Sequence, residues 1–362
     1  VHPRQRIQCV SPVQRDDQVI RVGETQSNPH GGGLLAVVFA GQGVVFESDA
    51  AVVKTEEPQP GFGNLNELRQ VGGVELQRAG IALVSRDLAL LGYRVTVFEA
   101  QPVAGGMLRT GIPDYRLPHN VIQREIDQVL ALGVDLKLGR RAGHDFTVDG
   151  LFEQGYGAVY LAPGLQKSAE VELPGDGLDG VARAVELLRE LNLGGTPAVG
   201  DKVVVIGGGD VALDAARSAI RLQQQRGTEP DVTLVYRRTE VEMPANASEL
   251  EEAKEEGLKV EFLVQPVEIL DEVTRTGETG GTGSDGGGAF VADSGTGGRV
   301  AGIRLQRCKL GKADESGRRQ PVPVEGSEFA LAADTVVFAV GQALVDDFAR
   351  GCEGLTVEHG QV

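Results

Sequence analysis

The sequence predicts an α/β chain built on parallel sheets, and three observations carry that reading. From about Gly73 to Ile269, apolar runs of strand length alternate with stretches of helical period, the texture of successive strand–helix–strand units. A strand–helix–strand pattern recurs twice, each time with a charged group closing the second strand. A chain of 362 residues also has room for two or three domains, each with a substantial core.

Composition narrows the class. Glycine supplies 51 of the 362 residues, about twice the usual share of roughly 7 %. The glycines have no Gly-X-Y period, which excludes collagen, and 41 % hydrophobic residues exclude wholesale disorder. A net charge of −17 argues against nucleic acid or an anionic membrane as a partner, because phosphate backbones attract basic surfaces. Cys9, Cys308 and Cys352 are too few and scattered for a disulfide framework, and no Cys-x-x-Cys begins a metal site. The expected setting is the cytoplasm. No run approaches 18 apolar residues and no signal peptide opens the chain, so no membrane role is expected.

Residues 1–70 hold mixed polar runs and one apolar patch, GLLAVVFAGQGVVF from Gly33, and take no assignment. The first repeat runs from an apolar segment near Gly73, through the helix-like ALVSRDLALLG, to a strand over Arg94–Phe98 closed by Glu99. The second runs from a strand over Lys202–Ile206, through a helix over Val211–Leu222, to a strand over Val232–Tyr236 closed by Arg237 and Arg238. SELEEAKEEG, from Ser248, reads as a serine-capped, solvated surface helix. Ten of the 22 residues from Gly277 to Gly298 are glycine, and 275–298 reads as a low-complexity surface insertion. Strand-like runs resume over Arg299–Cys308 and Asp334–Val340.

The most specific chemistry lies in KVVVIGGGDVALDAARSA, from Lys202. Four apolar residues form a buried strand, Gly207, Gly208 and Gly209 form a tight turn, and an alanine-rich helix follows at once. This is Gly-x-Gly-x-x-Ala in the strand–turn–helix context of a Rossmann dinucleotide site. Gly207 permits the turn, Gly209 lets backbone approach a pyrophosphate, and Ala212 leaves room for helix against strand. The helix N-terminus offers unpaired N–H groups to the anion. Where an NAD site places an acid at the end of the next strand, this chain has Arg237 and Arg238, which suit a ribose 2′-phosphate and favour NADP(H). In the first half, Glu99 stands where a carboxylate can accept from an adenosine ribose, followed by the glycine-rich Gly105, Gly106 and Gly111.

With these motifs in order, GGMLRTGIPDYRLP, VVVIGGGDVALDAARSA, VYRRTEVEMPA, FLVQPVEIL and SEFALAADTVVFAVGQ, the chain from Leu91 to Gln342 resembles the flavoproteins of the glutamate synthase small (beta) subunit family. These are pyridine nucleotide-disulfide oxidoreductase-like enzymes whose module recurs in dihydropyrimidine dehydrogenase and in NADPH-dependent ferredoxin reductases. The resemblance implies two Rossmann-like domains, one for FAD and one for NADPH, the second inserted in the first. The implied boundaries are 71–198 for the first part of the FAD-like domain and 199–335 for the NAD(P)H domain. Residues 336–362 return to the FAD domain and stop before its closing Gly-Asp segment. Electrons would pass from NADPH to FAD and leave through an iron–sulfur partner, a larger iron–sulfur or amidotransferase-type subunit. Carried over by position, Glu99, Gly105, Gly106, Met107 and Arg116 would lie along FAD. Gly207, Gly208, Gly209, Asp210, Ala212, Arg237 and Arg238 would hold NADPH, and Ala339, Val340 and Gly341 would lie near the nicotinamide. The cofactors perform the chemistry, so no acid, base or metal ligand is assigned.

Three departures stand against the family pattern. Leu76, Arg78 and Ile81 occupy the glycine positions of the FAD phosphate turn. Residues 1–90 contain only Cys9, too few thiolates for a cluster. The sequence ends at Val362, ahead of the closing Gly-Asp segment that the resemblance implies, and, as a smaller change, Pro163 stands for a threonine in LAPG. The alternative reading is therefore a non-catalytic or incomplete NADP(H)-binding fragment without functional FAD.

Overall fold

A computed structural model describes residues 34–38, 80–272, 298–313 and 317–345. The chain divides into two units, one taking the described residues up to Lys167 and again from Ala343, the other spanning Ser168–Gln342.

The first unit is a parallel sheet. Its elements are β1 (Leu34–Val38), α1 (Gly80–Leu90), β2 (Arg94–Glu99), α2 (Gly106–Thr110), α3 (His119–Leu130), β3 (Asp135–Leu138), α4 (Val148–Glu153) and β4 (Tyr156–Leu161). The strand order is β3-β2-β1-β4, with Leu34 to Val38 paired to Arg94 to Phe98 on one side and to β4 on the other. Chain direction along the sheet thus reverses beside β1, the place where open α/β sheets leave a crevice for ligands. One face packs Phe98, Leu151, Val159 and Leu161, with the Phe146 ring 4.7 Å from that of Phe98; the other packs Val95, Val97, Val134 and Ala158. The central strand comes from LLAVV, inside the segment 1–70 that sequence reasoning left unassigned. The strand expected near Gly73 and the glycine substitutes Leu76 and Arg78 lie outside the described residues. Helix α1, carrying Arg86 and Asp87, begins at Gly80.

Strands β5 (Leu165–Ser168) and β14 (Gln342–Leu344), where the chain leaves and re-enters the first unit, pair with each other. The second unit contains β6 (Val181–Arg183), α5 (Ala184–Asn192), β7 (Val203–Gly207), α6 (Asp210–Gln225), β8 (Val232–Tyr236), α7 (Ala247–Glu255) and β9 (Lys259–Phe262). It continues through β10 (Val264–Asp271), β11 (Val300–Ala313), β12 (Arg319–Ala332) and β13 (Thr335–Ala339). Its five-stranded sheet runs β6-β13-β7-β8-β9, all parallel, beside an antiparallel sheet β10-β11-β12. Because β6 and β13 are hydrogen-bonded into the β7 sheet, the chain divides at 167/168 and 342/343 rather than at 198/199 and 335/336.

Strand β7 shows why VVVI is continuous rather than alternating: both faces are covered. Val203 and Val205 pack against helices with Leu187, Leu213, Ala216 and Ile220, while Val204 and Ile206 meet Ile269, Ile303, Leu305 and Phe338. Ala212, Ala215, Ala216 and Ala219 are fully buried, and their small side chains let α6 lie close on the sheet. The acidic helix α7 starts earlier than its sequence implies. Asn246, not Ser248, is the N-cap, its side chain accepting from the Ser248 N–H at 3.0 Å. Nor is α7 solvated all round. Arg217, with its side chain only 6 % exposed, donates from Nη2 to Glu252 at 3.0 Å and to Glu256 at 2.6 Å, and Arg221 adds 2.7 Å and 2.8 Å bonds to Glu256. Partial burial pushes the Glu256 carboxyl up, but the bonds and charge of Arg221 and Arg217 outweigh it and hold it at about 2. Arg217→Met leaves Glu256 to Arg221 alone and removes the charge-assisted bonds of Arg217 to Glu252 and Glu256, so it is expected to cost about 1–2 kcal/mol in urea melts at pH 7. The native carboxyl lies below its ordinary value, so this stability is present above that value and is lost as pH falls towards 2. The wild-type loss between pH 5 and pH 2 should be blunted in Glu256→Gln.

Candidate functional site

Each glycine of the β7–α6 turn answers a different neighbour. Gly207 has φ 156°, and a Cβ there would lie 2.3 Å from the Ala339 carbonyl oxygen and 3.1 Å from the Ala212 Cβ. It is required by β13 and α6, which press on it from two sides. A Cβ on Gly208 would lie 2.3 Å from the Tyr236 ring. Gly209, the N-cap of α6 with φ −100° and ψ 177°, would meet nothing within 4 Å. Beside it open the unpaired N–H groups of the helix start, with a backbone that keeps its side clear. This cradle fits a pyrophosphate.

The segment after β8 folds back on the turn. Ala245 N–H donates to the Gly208 carbonyl at 3.1 Å, and Asn246 N–H to Asp210 Oδ1 at 3.0 Å, so the Asp210 carboxylate is engaged with the protein. Arg237 and Arg238 differ in placement. Arg237 is exposed and makes no hydrogen bond or ion pair among the described residues, whereas Arg238 is buried and donates from Nε to the Arg319 carbonyl at 2.7 Å. Ala339, at the end of β13, pairs with Gly207; Val340 is 47 % exposed and Gly341 takes φ 138°, its carbonyl accepting from Ala169 N–H at 2.9 Å. These three therefore share the C-terminal edge of the sheet with the glycine turn.

In the first unit, Glu99 closes β2 fully buried. Its Oε1 accepts from the Gln101 N–H at 2.7 Å, while Oε2 has no partner among the described residues. Burial drives this carboxyl up to about 7 against the lowering effect of the Gln101 and Ala100 N–H groups. A buried acceptor with one empty oxygen fits a hydroxyl donor such as a ribose. Beyond it Gly105 (φ 118°) and Gly106 (φ 55°) open α2, Met107 is buried, and a Cβ on Gly111 would lie 2.6 Å from the Met107 Cε. Arg116 is half-buried in the next turn, its N–H donating to the Pro113 carbonyl at 2.9 Å. Sequence reasoning passed over the tie that holds this loop. Arg109 Nη1 donates to the His119 carbonyl at 3.3 Å, and His119 N–H to Asp114 Oδ1 at 2.8 Å. Among the described residues no group of three or more His, Cys, Asp or Glu could hold a metal, and no helix is long and apolar enough to cross a membrane.

The model of one family, pyridine nucleotide-disulphide oxidoreductase, matches residues 78–362. The chain belongs to that family. Among curated relatives, the NADP(+)-dependent formate dehydrogenase subunit beta of Moorella thermoacetica is 45 % identical over 268 residues, covering 73 % of this chain and 34 % of its own. The glutamate synthase [NADPH] small chain of Halomonas elongata is 36 % identical over 260 residues, covering 69 % of this chain and 48 % of its own. The chain thus spans about a third to a half of these relatives. FprA of Mycobacterium tuberculosis, solved in complex with NADPH, shares the fold at a TM-score of 0.62 and 18 % identity, over 90 % of this chain and 73 % of FprA.

Proposed function

We propose that the chain is the NADPH-oxidising, FAD-binding part of a larger electron-transfer oxidoreductase. The observation that carries this is the open cradle at Gly209 together with Arg237, an exposed cation with no hydrogen bond or ion pair among the described residues at the end of the next strand. Gly207, Gly208 and Gly209 shape the turn, the α6 N-terminus meets the pyrophosphate, and Arg237 meets the 2′-phosphate. Arg238 holds the strand end in place through the Arg319 carbonyl. Ala339, Val340 and Gly341 would border the nicotinamide. Glu99 would take the FAD ribose on its empty Oε2, with Gly105, Gly106, Met107 and Arg116 along the cofactor. When bound, FAD accepts two electrons from NADPH and releases them one at a time. Relatives named as beta subunits of formate dehydrogenase and as a glutamate synthase small chain support a larger partner subunit, read here as an iron–sulfur one in the cytoplasm.

Purified protein should carry the yellow of bound flavin and bleach on anaerobic NADPH. The substitutes Leu76, Arg78 and Ile81 favour a second reading, an NADP(H)-binding scaffold without flavin. A protein that stays colourless after incubation with FAD yet binds NADPH would establish that reading instead. Arg237→Ala should weaken NADPH by about tenfold or more while leaving NADH within about twofold, as loss of a charge-assisted phosphate contact requires. Arg238→Ala should lower the melting temperature as well, since it leaves a buried strand-end contact unmade. Equal losses of both nucleotides on Arg237→Ala would remove the 2′-phosphate assignment.

A further inference from the structure

Two basic residues at a strand end are flexible, and their use depends on what holds the backbone between them. Here one residue does so from both sides. The Tyr236 hydroxyl, immediately before the pair, donates to the Glu242 carbonyl at 2.8 Å. Thr239, immediately after it, donates its N–H to Glu242 Oε2 at 3.2 Å, and its hydroxyl bonds the same oxygen. Residues 240–242 form a single 3-10 turn that brings Glu242 back to make these contacts. Glu242 therefore closes a ring that contains only Arg237 and Arg238. The Tyr236 ring also lies under Gly208, so this ring of contacts is joined to the floor of the cradle.

Within the ring, Arg238 is spent on the Arg319 carbonyl, and the Arg238 carbonyl accepts from Leu263 N–H at 3.0 Å. Arg237 alone projects. A carboxylate this near a phosphate site would by charge alone oppose the ligand. The bonds of Glu242 to Thr239, and more weakly the nearby charge of Arg319, keep this carboxyl below the ordinary range, so it remains ionised and its charge is a cost to the site. What the site gains from it is geometry, an acceptor that fixes Thr239 N–H and hydroxyl at once.

We propose that Glu242 is a positioning residue for nucleotide specificity, setting the backbone conformation from which Arg237 meets the 2′-phosphate of NADP(H). This rests on the NADPH reading of the site. The test is calorimetric titration of NADP⁺ and of NAD⁺ into the full chain and its variants. Glu242→Ala should weaken NADP⁺ by about tenfold, the scale of a misplaced charge-assisted contact, and NAD⁺ by less than about twofold. Glu242→Gln keeps an acceptor oxygen and loses the charge, so it should bind NADP⁺ as tightly as wild type or more tightly. Thr239→Val, which removes one of the two donors, should fall between. Glu240→Ala removes an equal charge from a residue that bonds Lys254 instead, and should not weaken NADP⁺. Unchanged NADP⁺ affinity in Glu242→Ala, or equal losses of both nucleotides, or a Glu242→Gln as weak as Glu242→Ala, would overturn the proposal while leaving the NADPH reading intact. A wild-type chain that binds no NADP⁺ would remove both.

Discussion

Gly209→Ala leaves the chain folded and removes its hold on NADP(H), whereas Gly207→Ala damages the fold itself. The two residues stand two positions apart in one turn, and only their surroundings separate them. At Gly209 the backbone has φ −100° and an added methyl meets nothing within 4 Å, so alanine costs the protein little. The space it fills is the one through which backbone would approach a pyrophosphate. A ligand pushed off its N–H donors there should lose at least about a hundredfold in affinity, equivalent to about 3 kcal/mol. At Gly207 the methyl would press to 2.3 Å on a backbone carbonyl that β13 cannot withdraw without leaving the sheet, at a φ that side chains rarely adopt. Strain and overpacking of that kind cost about 3 kcal/mol. Thermal melts and NADP⁺ titrations of both variants check the pair. A Gly209→Ala chain that binds NADP⁺ like wild type would mean the pyrophosphate lies elsewhere.

The second large effect is a pH dependence centred on Glu99. Burial raises its carboxyl from 4.5 to about 7, so the native state holds a proton that the unfolded state gives up more readily. Stability from this group is whole below pH 4.5 and is lost as pH rises through 7, by about 3 kcal/mol in the limit of full ionisation. A ribose hydroxyl donating to Oε2 favours the ionised form, so FAD would draw the carboxyl back down and release a proton on binding. Flavin affinity, followed by fluorescence quenching, should therefore tighten between pH 6 and pH 8. In Glu99→Gln the apo chain should show a flatter stability profile over the same range. Its flavin affinity should fall by about tenfold or more, the worth of a hydrogen bond to a charged group, and lose its pH dependence. Flavin affinity that stays level across this range in the wild type would count against Glu99 as the ribose acceptor.

Much of the site was legible because its residues are consecutive. Gly207 to Ala212 and Arg237–Arg238 belong to one strand–helix–strand unit, where spacing alone sets which residues meet at the sheet edge. The placement of Glu99 at the end of β2 was legible for the same reason. Two things were not. LLAVV at residues 34–38 gave no sign of lying between β2 and β4, because a parallel strand pairs through backbone with partners far along the chain. The split between Arg237 and Arg238 was equally hidden. Both read as phosphate ligands until β12, some eighty residues on, places the Arg319 carbonyl against one of them.

The sequence by itself determined the α/β class, the dinucleotide turn and the preference for a basic strand end, all of which follow from local backbone geometry and side-chain type. Only the tertiary structure decided where the units divide, since β6 and β13 join the β7 sheet by hydrogen bonds that no local pattern announces. It also decided which glycine serves the fold and which the ligand. That difference depends on Ala339, a neighbour contributed more than a hundred residues away, and distance through space is what a linear sequence does not carry.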